Sequence, residues 1–152
     1  MSPRAAWRLE ALGFFDVNDY VAGKADWGAA GLPLEGKAAA IQTAADIADR
    51  DPPVCQLDEP LELVRARVLA AGWTACVVIN EERVVLGLLG RSAITSTDEL
   101  DIESAMAEGP STVRPNVPAE KLLERLTRRH LAQAIVTTSD GRLVGVVRAA
   151  SE

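Results

Sequence analysis

Two stretches of equal length decide the fold: Cys76-Val-Val-Ile-Asn-Glu-Glu-Arg-Val-Val-Leu-Gly-Leu-Leu89 and Ala134-Ile-Val-Thr-Thr-Ser-Asp-Gly-Arg-Leu-Val-Gly-Val-Val147. Each has an apolar run, a short polar turn and a second apolar run, which is the pattern of a β-hairpin. Ser139-Asp-Gly is a good hairpin turn, whereas Asn80-Glu-Glu is a poorer one. Because the stretches lie 58 residues apart, they predict two copies of one structural unit.

The same offset of 58 residues aligns residues 52–93 with residues 110–151 without a gap. A short extended piece begins each copy, and a helix follows, indicated by apolar residues at i, i+3, i+4 and i+7. We therefore predict an α/β protein with two β-α-β-β-α repeats related by a pseudo-twofold axis, the closing helix being indicated only in the first copy. The predicted divisions are an N-terminal extension over residues 1–36, a first motif over 37–97 and a second over 98–152.

Composition excludes several classes of protein. The 152 residues carry a net charge of −6, and 48% of them are apolar, which favours a globular chain without a nucleic-acid surface. No apolar run approaches the roughly 20 residues that span a bilayer, so we expect no membrane contact and a cytoplasmic location. His130 is the single histidine and the two cysteines lack CxxC spacing, so no metal site is predicted.

The hairpins resemble those of the cystathionine-β-synthase (CBS) domain, whose tandem pair is called a Bateman module. Asp101-Ile-Glu-Ser-Ala-Met106 and Val113-Arg-Pro-Asn116 resemble the opening segment and first strand of that family. The first copy is a looser match, with Ala44-Ala-Asp-Ile-Ala48 in the opening position. The resemblance implies a non-enzymatic regulatory module that binds adenosine-containing ligands in clefts between the motifs and forms a homodimer.

One part of the family pattern is missing from both copies. A Gly-x-x-Thr/Ser-x-x-Asp sequence after the last strand usually holds ribose and phosphate, but Gly90 and Ala93 stand at its polar positions in the first copy, and Arg148 and Ser151 in the second. The ribose-binding carboxylate is therefore absent from both tails. Arg148 has two open interpretations: a fork that binds phosphate, or a solvated side chain that fills the vacant pocket.

The remaining candidate ligand contacts are backbone groups of the first strands and of the helix-to-strand turns, together with arginines for phosphates. They are Val54, Cys55, Trp73, Thr74, Ala75, Arg91, Val113, Arg114, Leu131, Gln133, Arg148 and Ser151. AMP, ADP, ATP and S-adenosylmethionine are the candidate ligands that the resemblance implies. No cofactor, catalytic residue or metal ligand is predicted, and the regulated protein is not identified by the sequence.

The extension over residues 1–36 resembles the C-terminal end of a rhodanese domain. This resemblance predicts a helix over 5–12, a short strand near Phe15–Val17 and a helix over 25–30. The catalytic cysteine loop of that family would precede Met1, and Cys55 and Cys76 fall on strands, so no sulfurtransferase activity is expected. The apolar side chains of the extension are expected to pack on the repeats or across a dimer: Trp7, Leu9, Leu12, Phe14 and Trp27.

Three functions therefore remain open. The first is a ligand-sensing regulatory homodimer, in which an adenine-type ligand changes the relative angle of the motifs. The second is a ligand-free dimerisation scaffold, which the lost ribose and phosphate residues favour. The third is an inactive remnant of a sulfurtransferase.

Overall fold

The computed structural model describes residues 3–149, apart from the side chains of residues 37 and 38. The N-terminal extension contains two helices, α1 (Pro3–Ala11) and α2 (Gly23–Ala29), and a 3-10 helix over Lys37–Ala40 follows it. Within the described residues, no helix is both long enough and apolar enough to cross a membrane.

The strand predicted near Phe15–Val17 does not form, so this prediction was wrong. Residues 16–20 have no regular secondary structure, and the Phe15 side chain is fully exposed (101%). A strand is stable in water only when it pairs within a sheet, and this segment pairs with neither sheet of the described chain. The extension is therefore helix–loop–helix.

The two predicted repeats are present, and their mixed α/β fold is confirmed. The first contains α3 (Ala44–Ile47), β1 (Val54–Cys55), α4 (Leu61–Ala70), β2 (Cys76–Ile79), β3 (Val85–Leu89) and α5 (Arg91–Thr95). The second contains α6 (Ile102–Ala105), β4 (Ala107–Glu108), β5 (Thr112–Val113), α7 (Ala119–Arg128), β6 (Gln133–Thr137) and β7 (Leu143–Arg148). The helix predicted after the first hairpin is α5.

The 58-residue offset also holds in the pairing of the strands. β1 is parallel to β2 and β5 to β6, and each hairpin pairs antiparallel. Val77 lies opposite Leu88 in the first sheet, and Ile135 lies opposite Val146 in the second. Both hairpins are irregular at the corresponding place, after Val78 and after Val136, as expected for two copies of one unit.

Each repeat contributes its lead-in segment, residues 44–51 or 102–109, to the other repeat. β4 pairs antiparallel with β3 of the first sheet, and Asp49 forms an antiparallel bridge with Val146 of β7. The short helices are exchanged as well, since Ile102 of α6 is buried in the first core and Ala44 of α3 in the second. The division between residues 97 and 98 stays a prediction from the repeat, and the packing of the two cores crosses it.

A third apolar cluster joins the two sheets. Val77 and Ile79 of β2 pack there with Ile135, Leu143 and Val146 of the second hairpin. Each aliphatic side chain buried in this way contributes about 1.5–3 kcal/mol. The apolar faces of the two sheets therefore meet in this cluster.

The connection between the repeats is held by a buried arginine of α4. The Arg65 guanidinium is 9% exposed, and its Nε donates to the carbonyl of Ala93 at 2.8 Å, while Nη1 donates to the carbonyl of Asp98 at 3.0 Å. These bonds tie α5, and the linker between α5 and α6 (residues 96–101), to α4. The position 58 residues later is Leu123, whose side chain is 40% exposed, so this tie belongs to the first repeat.

The extension attaches to the second hairpin through a buried carboxylate of α2. Asp26 is 6% exposed, and its Oδ2 accepts hydrogen bonds from the backbone N (3.1 Å) and the Oγ (2.6 Å) of Ser139. Arg50 adds a bond from Nη1 to the carbonyl of Ala29 at 2.9 Å. α2 is therefore fixed to the repeats by polar contacts.

The apolar side chains of the extension behave differently from one another. Trp27 donates from Nε1 to the carbonyl of Pro33 and lies edge-on to Tyr20, and Leu9 is half-buried. Trp7, Leu12 and Phe14 remain exposed, at 67%, 60% and 59%. These three side chains therefore do not pack on the repeats of their own chain, and packing across a dimer, the other predicted arrangement, stays a prediction.

We predict that Gly145→Ala lowers the free energy of unfolding by about 1–3 kcal/mol, a typical cost of overpacking. A Cβ at this position would collide with the backbone oxygen of Asp49, which cannot move without breaking the bridge to Val146. Gly87→Ala should cost less, because its Cβ would meet the flexible Met106 side chain first. Chemical denaturation of both variants measures the difference.

Gly90→Ala is the matched control for these variants. No heavy atom lies within 4 Å of its added Cβ, so the change should cost below about 1 kcal/mol. Equal unfolding free energies for the Gly145 and Gly90 variants would contradict the close chain crossing.

We predict that Asp26→Ala releases α2 from the second hairpin without unfolding the sheets. Because the variant loses both bonds to Ser139, amide hydrogen exchange in α2 should accelerate by about 10-fold or more. Ser139→Ala removes only the hydroxyl bond and should give a smaller effect. Unchanged exchange in α2 of Asp26→Ala would contradict this attachment.

Candidate functional site

A cleft of about 850 Å³ lies where the helix-to-strand turns of the two repeats approach each other. Its walls include Gly72–Thr74 from the first repeat and Ala132–Gln133 from the second. Arg91, the first residue of α5, and Arg148, the last residue of β7, also line it. Under the 58-residue offset these arginines occupy neighbouring positions, so the cleft receives one arginine from each repeat.

Trp73 and Arg148 are in direct contact inside the cleft. Gly72 ends the turn after α4 with a φ of 71°, a left-handed conformation that glycine adopts without strain. The next residue, Trp73, donates its backbone N–H to the carbonyl of Val68 at 3.1 Å. The guanidinium carbon of Arg148 lies 4.3 Å from the centre of the indole ring, a cation–π contact.

This contact bears on the two interpretations of Arg148. The guanidinium covers one face of the indole, as expected of a side chain that fills a vacant pocket. It is also exposed, and its planar fork could leave the indole for a phosphate. The same side chain therefore either stacks on Trp73 or binds an anion in the cleft.

The structure gathers some of the predicted site residues in this cleft and separates others from it. Those that line it are Trp73, Thr74, Arg91, Gln133 and Arg148. Those that do not line it are Val54, Cys55, Ala75, Val113, Arg114 and Leu131. Ser151 lies outside the described residues.

The separated residues have physical reasons for their positions. Cys55, Ala75 and Val113 are buried, at 1%, 8% and 6% exposure, so their side chains belong to the cores. The carbonyl of Val54 already accepts a hydrogen bond from Nη2 of Arg67 at 2.8 Å. Arg114 and Leu131 are exposed and do not lie along this cleft, so their predicted ligand contacts would require another surface.

Two carboxylates that sequence reasoning missed also line the cleft. Asp46 and Asp49 come from the lead-in segment of the first repeat, together with Ile47 and Ala48. The family pattern places the ribose carboxylate in the tails after β3 and β7, whereas these residues reach the cleft because their segment pairs with the second repeat. No local motif marks them; the signal would have been the pairing of Asp49 with β7.

Hydrogen bonds hold both carboxylates in place. The hydroxyl and the backbone N–H of Thr43 donate to Oδ2 of Asp46 at 2.7 and 2.8 Å, and they hold the pKa of Asp46 below its usual value. Asp49 accepts from the backbone N of Asp51 at 3.0 Å through Oδ1. Asp46 therefore stays ionised at neutral pH, and Asp49 keeps acceptor capacity on its second oxygen.

The cleft therefore combines arginines, carboxylates and neutral hydrogen-bonding groups. Guanidinium forks suit phosphate or carboxylate groups of a ligand, and carboxylates accept from hydroxyl groups. The side chains of Thr74 and Gln133 can donate or accept. The residues lining it include neither a histidine nor a cysteine.

The two cysteines lie together in the first core, away from the cleft. Both thiols are free and buried, at 1% exposure each. Cys76 donates from Sγ to the carbonyl of Val77 at 3.9 Å, and the neighbouring Cys55 thiol together with burial raises the pKa of Cys76. Among residues 3–149, no group of three or more His, Cys, Asp or Glu side chains could hold a metal ion.

Comparison with solved structures identifies similar folds. The chain is similar to the CBS domain pair of protein MJ0100 in complex with 5′-methylthioadenosine and S-adenosyl-L-methionine, with a TM-score of 0.63 and 15% identity over 72% of this chain and 90% of that one. It is similar to a putative acetoin utilization protein (AcuB) from Vibrio cholerae, with a TM-score of 0.64 and 15% identity over 71% and 84%. It is also similar to CBSX2 in complex with AMP, with a TM-score of 0.61 and 17% identity over 70% and 89%.

The sequence comparisons are narrower. Residues 101–150 match the model of the CBS domain family, and no curated protein sequence matches the chain significantly. Neither comparison supports a rhodanese domain over residues 1–36, where the strand predicted by that resemblance is also missing. The described chain therefore has the fold of a CBS domain pair, and its second repeat matches the CBS domain family.

Proposed function

We propose that this protein is a cytoplasmic, non-catalytic regulatory module that binds an adenosine-containing nucleotide in the central cleft and acts as a homodimer. The observation that carries the proposal is the convergence of an indole, a carboxylate and two guanidinium groups on one cleft between the repeats, those of Trp73, Asp49, Arg91 and Arg148. A base, a ribose and a phosphate each find a chemically suitable group there. CBS domain pairs in general have regulatory rather than catalytic roles.

Trp73 offers the surface for the base. It is the only aromatic residue within either repeat, and it is half-buried at the wall of the cleft. An adenine ring could stack on the indole face that Arg148 now covers, in the offset arrangement that aromatic rings prefer. The base would then displace the guanidinium and free it for a phosphate.

Asp49 replaces the missing ribose carboxylate in this proposal. The tails after β3 and β7 carry no acidic residue at the position that the family pattern requires, but Asp49 reaches the cleft from the exchanged lead-in segment. A carboxylate that accepts from two ribose hydroxyls would supply the discrimination for a nucleoside. In this arrangement Trp73 would bind the base, Asp49 the ribose, and Arg91 and Arg148 the phosphate groups.

The ligands of similar structures support this class of ligand. The MJ0100 domain pair is described with 5′-methylthioadenosine and S-adenosyl-L-methionine, CBSX2 with AMP, and the cytosolic domain of the Mg²⁺ channel MgtE with ATP. All four compounds contain adenosine. Sequence identity to these proteins is 15–19%, so the particular nucleotide is left to experiment.

A regulatory role follows from the way the cleft is built. Its walls come from both repeats and from one exchanged segment, so a bound ligand contacts elements of both cores. A ligand that fits one relative angle of the repeats better than another shifts the population toward it. The regulated protein would then respond to that angle.

A ligand-free dimerisation scaffold is the second candidate, and one observation favours it. Arg148 already stacks on Trp73, so the indole has a partner without any ligand. Native mass spectrometry of freshly purified protein separates the candidates, because one spectrum reports both subunit number and retained small molecules. A dimer that neither retains a nucleotide nor binds one when it is added would favour the scaffold.

An inactive remnant of a sulfurtransferase is the third candidate. Such an enzyme needs an accessible, activated thiolate, and Cys55 and Cys76 are both buried in the first core. The proposal therefore gives residues 1–36 no catalytic role.

We predict that isothermal titration with AMP, ATP or S-adenosylmethionine detects binding that depends on the cleft arginines. Arg91→Ala and Arg148→Ala should each weaken ATP binding by about 10- to 100-fold, as expected for a lost charge-assisted hydrogen bond. Adenosine has no phosphate, so Arg91→Ala should change its affinity little, whereas Arg148→Ala, which uncovers the Trp73 indole, should strengthen it. Arg128→Ala, which alters an exposed arginine of α7, is the matched control.

We also predict that Asp49→Asn weakens adenosine and ATP equally, by about 10-fold, because both ligands carry the ribose. Asp58→Asn, at an exposed position outside the cleft, should leave both affinities unchanged. Absence of heat with any adenosine ligand at millimolar concentration would refute nucleotide binding.

A further inference from the structure

A second surface depression lies outside the cleft, at the start of α4. We call it the acidic groove; it has a volume of about 590 Å³ and lies between the β1–α4 loop and the linker that leads to α6. Its apolar part includes Leu57, Leu63 and Leu100, which are 41%, 66% and 47% exposed. Carboxylates surround these leucines, including those of Asp58, Glu62 and Glu99.

The acidic groove has the composition of a docking site. Exposed leucines surrounded by charged residues are typical of a surface that meets a partner. Arg65 lies at the same groove, but it is buried and its Nε and Nη1 are bonded to backbone carbonyls. The accessible charges of the groove are therefore predominantly negative, and its partner should be basic and apolar.

α1 has the complementary composition. Its half-buried side includes Ala5, Ala6 and Leu9. The opposite side is exposed and carries Trp7, at 67% exposure, between Arg4 and Arg8, with the single carboxylate of Glu10 next to them. Residues three and four apart share a helix face, so Arg4, Trp7 and Ala11 form one continuous strip.

The aromatic surface continues beyond the helix. Phe14 and Phe15 are 59% and 101% exposed, and residues 16–20 have no regular secondary structure. Trp7 and the arginines are of the residue types that supply most of the binding energy at protein interfaces. We call the segment from Arg4 to Phe15 the aromatic arm.

We propose that the aromatic arm of one copy docks in the acidic groove of a second copy, and that the reciprocal contact forms a twofold dimer. Trp7 enters among the exposed leucines, while Arg4 and Arg8 meet the surrounding carboxylates. This inference rests on the homodimer in the proposed function and names the surfaces that form it.

A second copy fits this surface because one chain carries both complementary parts and leaves both exposed. The arm stands free of the groove in its own chain, since α1 buries no residue completely and the leucines of the groove remain open. Two copies related by a twofold axis bury both surfaces twice in one closed assembly. The opposite charges also direct the orientation of approach.

Multi-angle light scattering across a range of protein concentrations tests the proposal. The wild-type chain should be a dimer, and Trp7→Ala should raise the dimer dissociation constant by at least about 10-fold. The variant should still fold as a monomer, because Trp7 is not part of the cores. Leu69→Ala is the matched control, since it truncates an exposed side chain (51%) on α4 outside the groove.

Charge reversal tests the complementarity. Arg8→Glu and Glu99→Arg should each weaken the dimer by about 10-fold, and the chain with both changes should return to within about 3-fold of wild type. The dimer should also weaken as salt is raised from 0.1 to 1 M. Failure of the double variant to recover would overturn the proposed pairing.

Cross-linking shows whether the contact joins different chains. Chains with Ala11→Cys are mixed with chains carrying Glu99→Cys and treated with a bismaleimide; the buried Cys55 and Cys76 are protected. A cross-linked product of twice the 16.2 kDa chain mass is expected. Chains with Leu69→Cys in place of Glu99→Cys should form little of this product.

The outcomes separate this inference from the proposed function. A wild-type monomer at all concentrations would overturn both the homodimer and the docking. A dimer that Leu69→Ala weakens and Trp7→Ala does not would overturn the docking alone, since the helix faces would then form the interface. Nucleotide titration of Trp7→Ala is independent of either result, because Trp7 lies outside the cleft.

Discussion

At two points the chain passes so close to a neighbouring strand that no side chain fits between them. Asp49 and Val146 exchange both backbone hydrogen bonds at 2.9 Å, and the backbone oxygen of Asp49 occupies the space that a Cβ of Gly145 would need. Met106 and Ala107 approach Gly87 in the corresponding way. These crossings determine which segment completes which core. The short helices α3 and α6 come just before the crossing residues in the chain, so each is carried into the core of the other repeat. Neither repeat has a complete core without the other.

The central cleft is a consequence of this exchange. The bridge from Asp49 to β7 carries residues 46–49 to the turns at Trp73 and Gln133, where they become one wall of the cleft. The same exchange makes the cleft sensitive to the relation between the repeats, since its arginines, carboxylates and indole belong to different segments. A rotation of one repeat against the other would change the spacing of all these groups together. The segment that connects the two repeats, which includes Asp49, therefore also lines the cleft.

Local signals explain how much of this could be predicted from the sequence. The hairpins can be predicted from the apolar runs on either side of each turn, such as Ser139-Asp-Gly. Gly87 and Gly145 lie at the same position of the two repeats, and at both a neighbouring segment passes close to the strand. The strand near Phe15–Val17 could not be excluded, because strand formation depends on a partner edge that local sequence does not reveal. Asp49 was missed for a related reason: its place in the cleft depends on pairing with a strand almost 100 residues later. Cys55 was predicted to contact the ligand through its backbone groups; it does not line the cleft, and its side chain lies in the first core.

The net charge of −6 would oppose phosphate binding only if all the charges of the protein acted on the phosphate equally, whatever their distance from it. Exposed charges are screened over about 8–10 Å at physiological ionic strength, so a ligand responds mainly to the groups that surround it. In the cleft, Arg91 and Arg148 face two carboxylates, one of which is already engaged by Thr43. Around Leu63 and Leu100, in contrast, acidic residues predominate. Part of the excess negative charge therefore lies in the acidic groove, which suits a basic partner. In the cleft, positive and negative side chains are equal in number, so a nucleotide phosphate would not meet a net negative charge there.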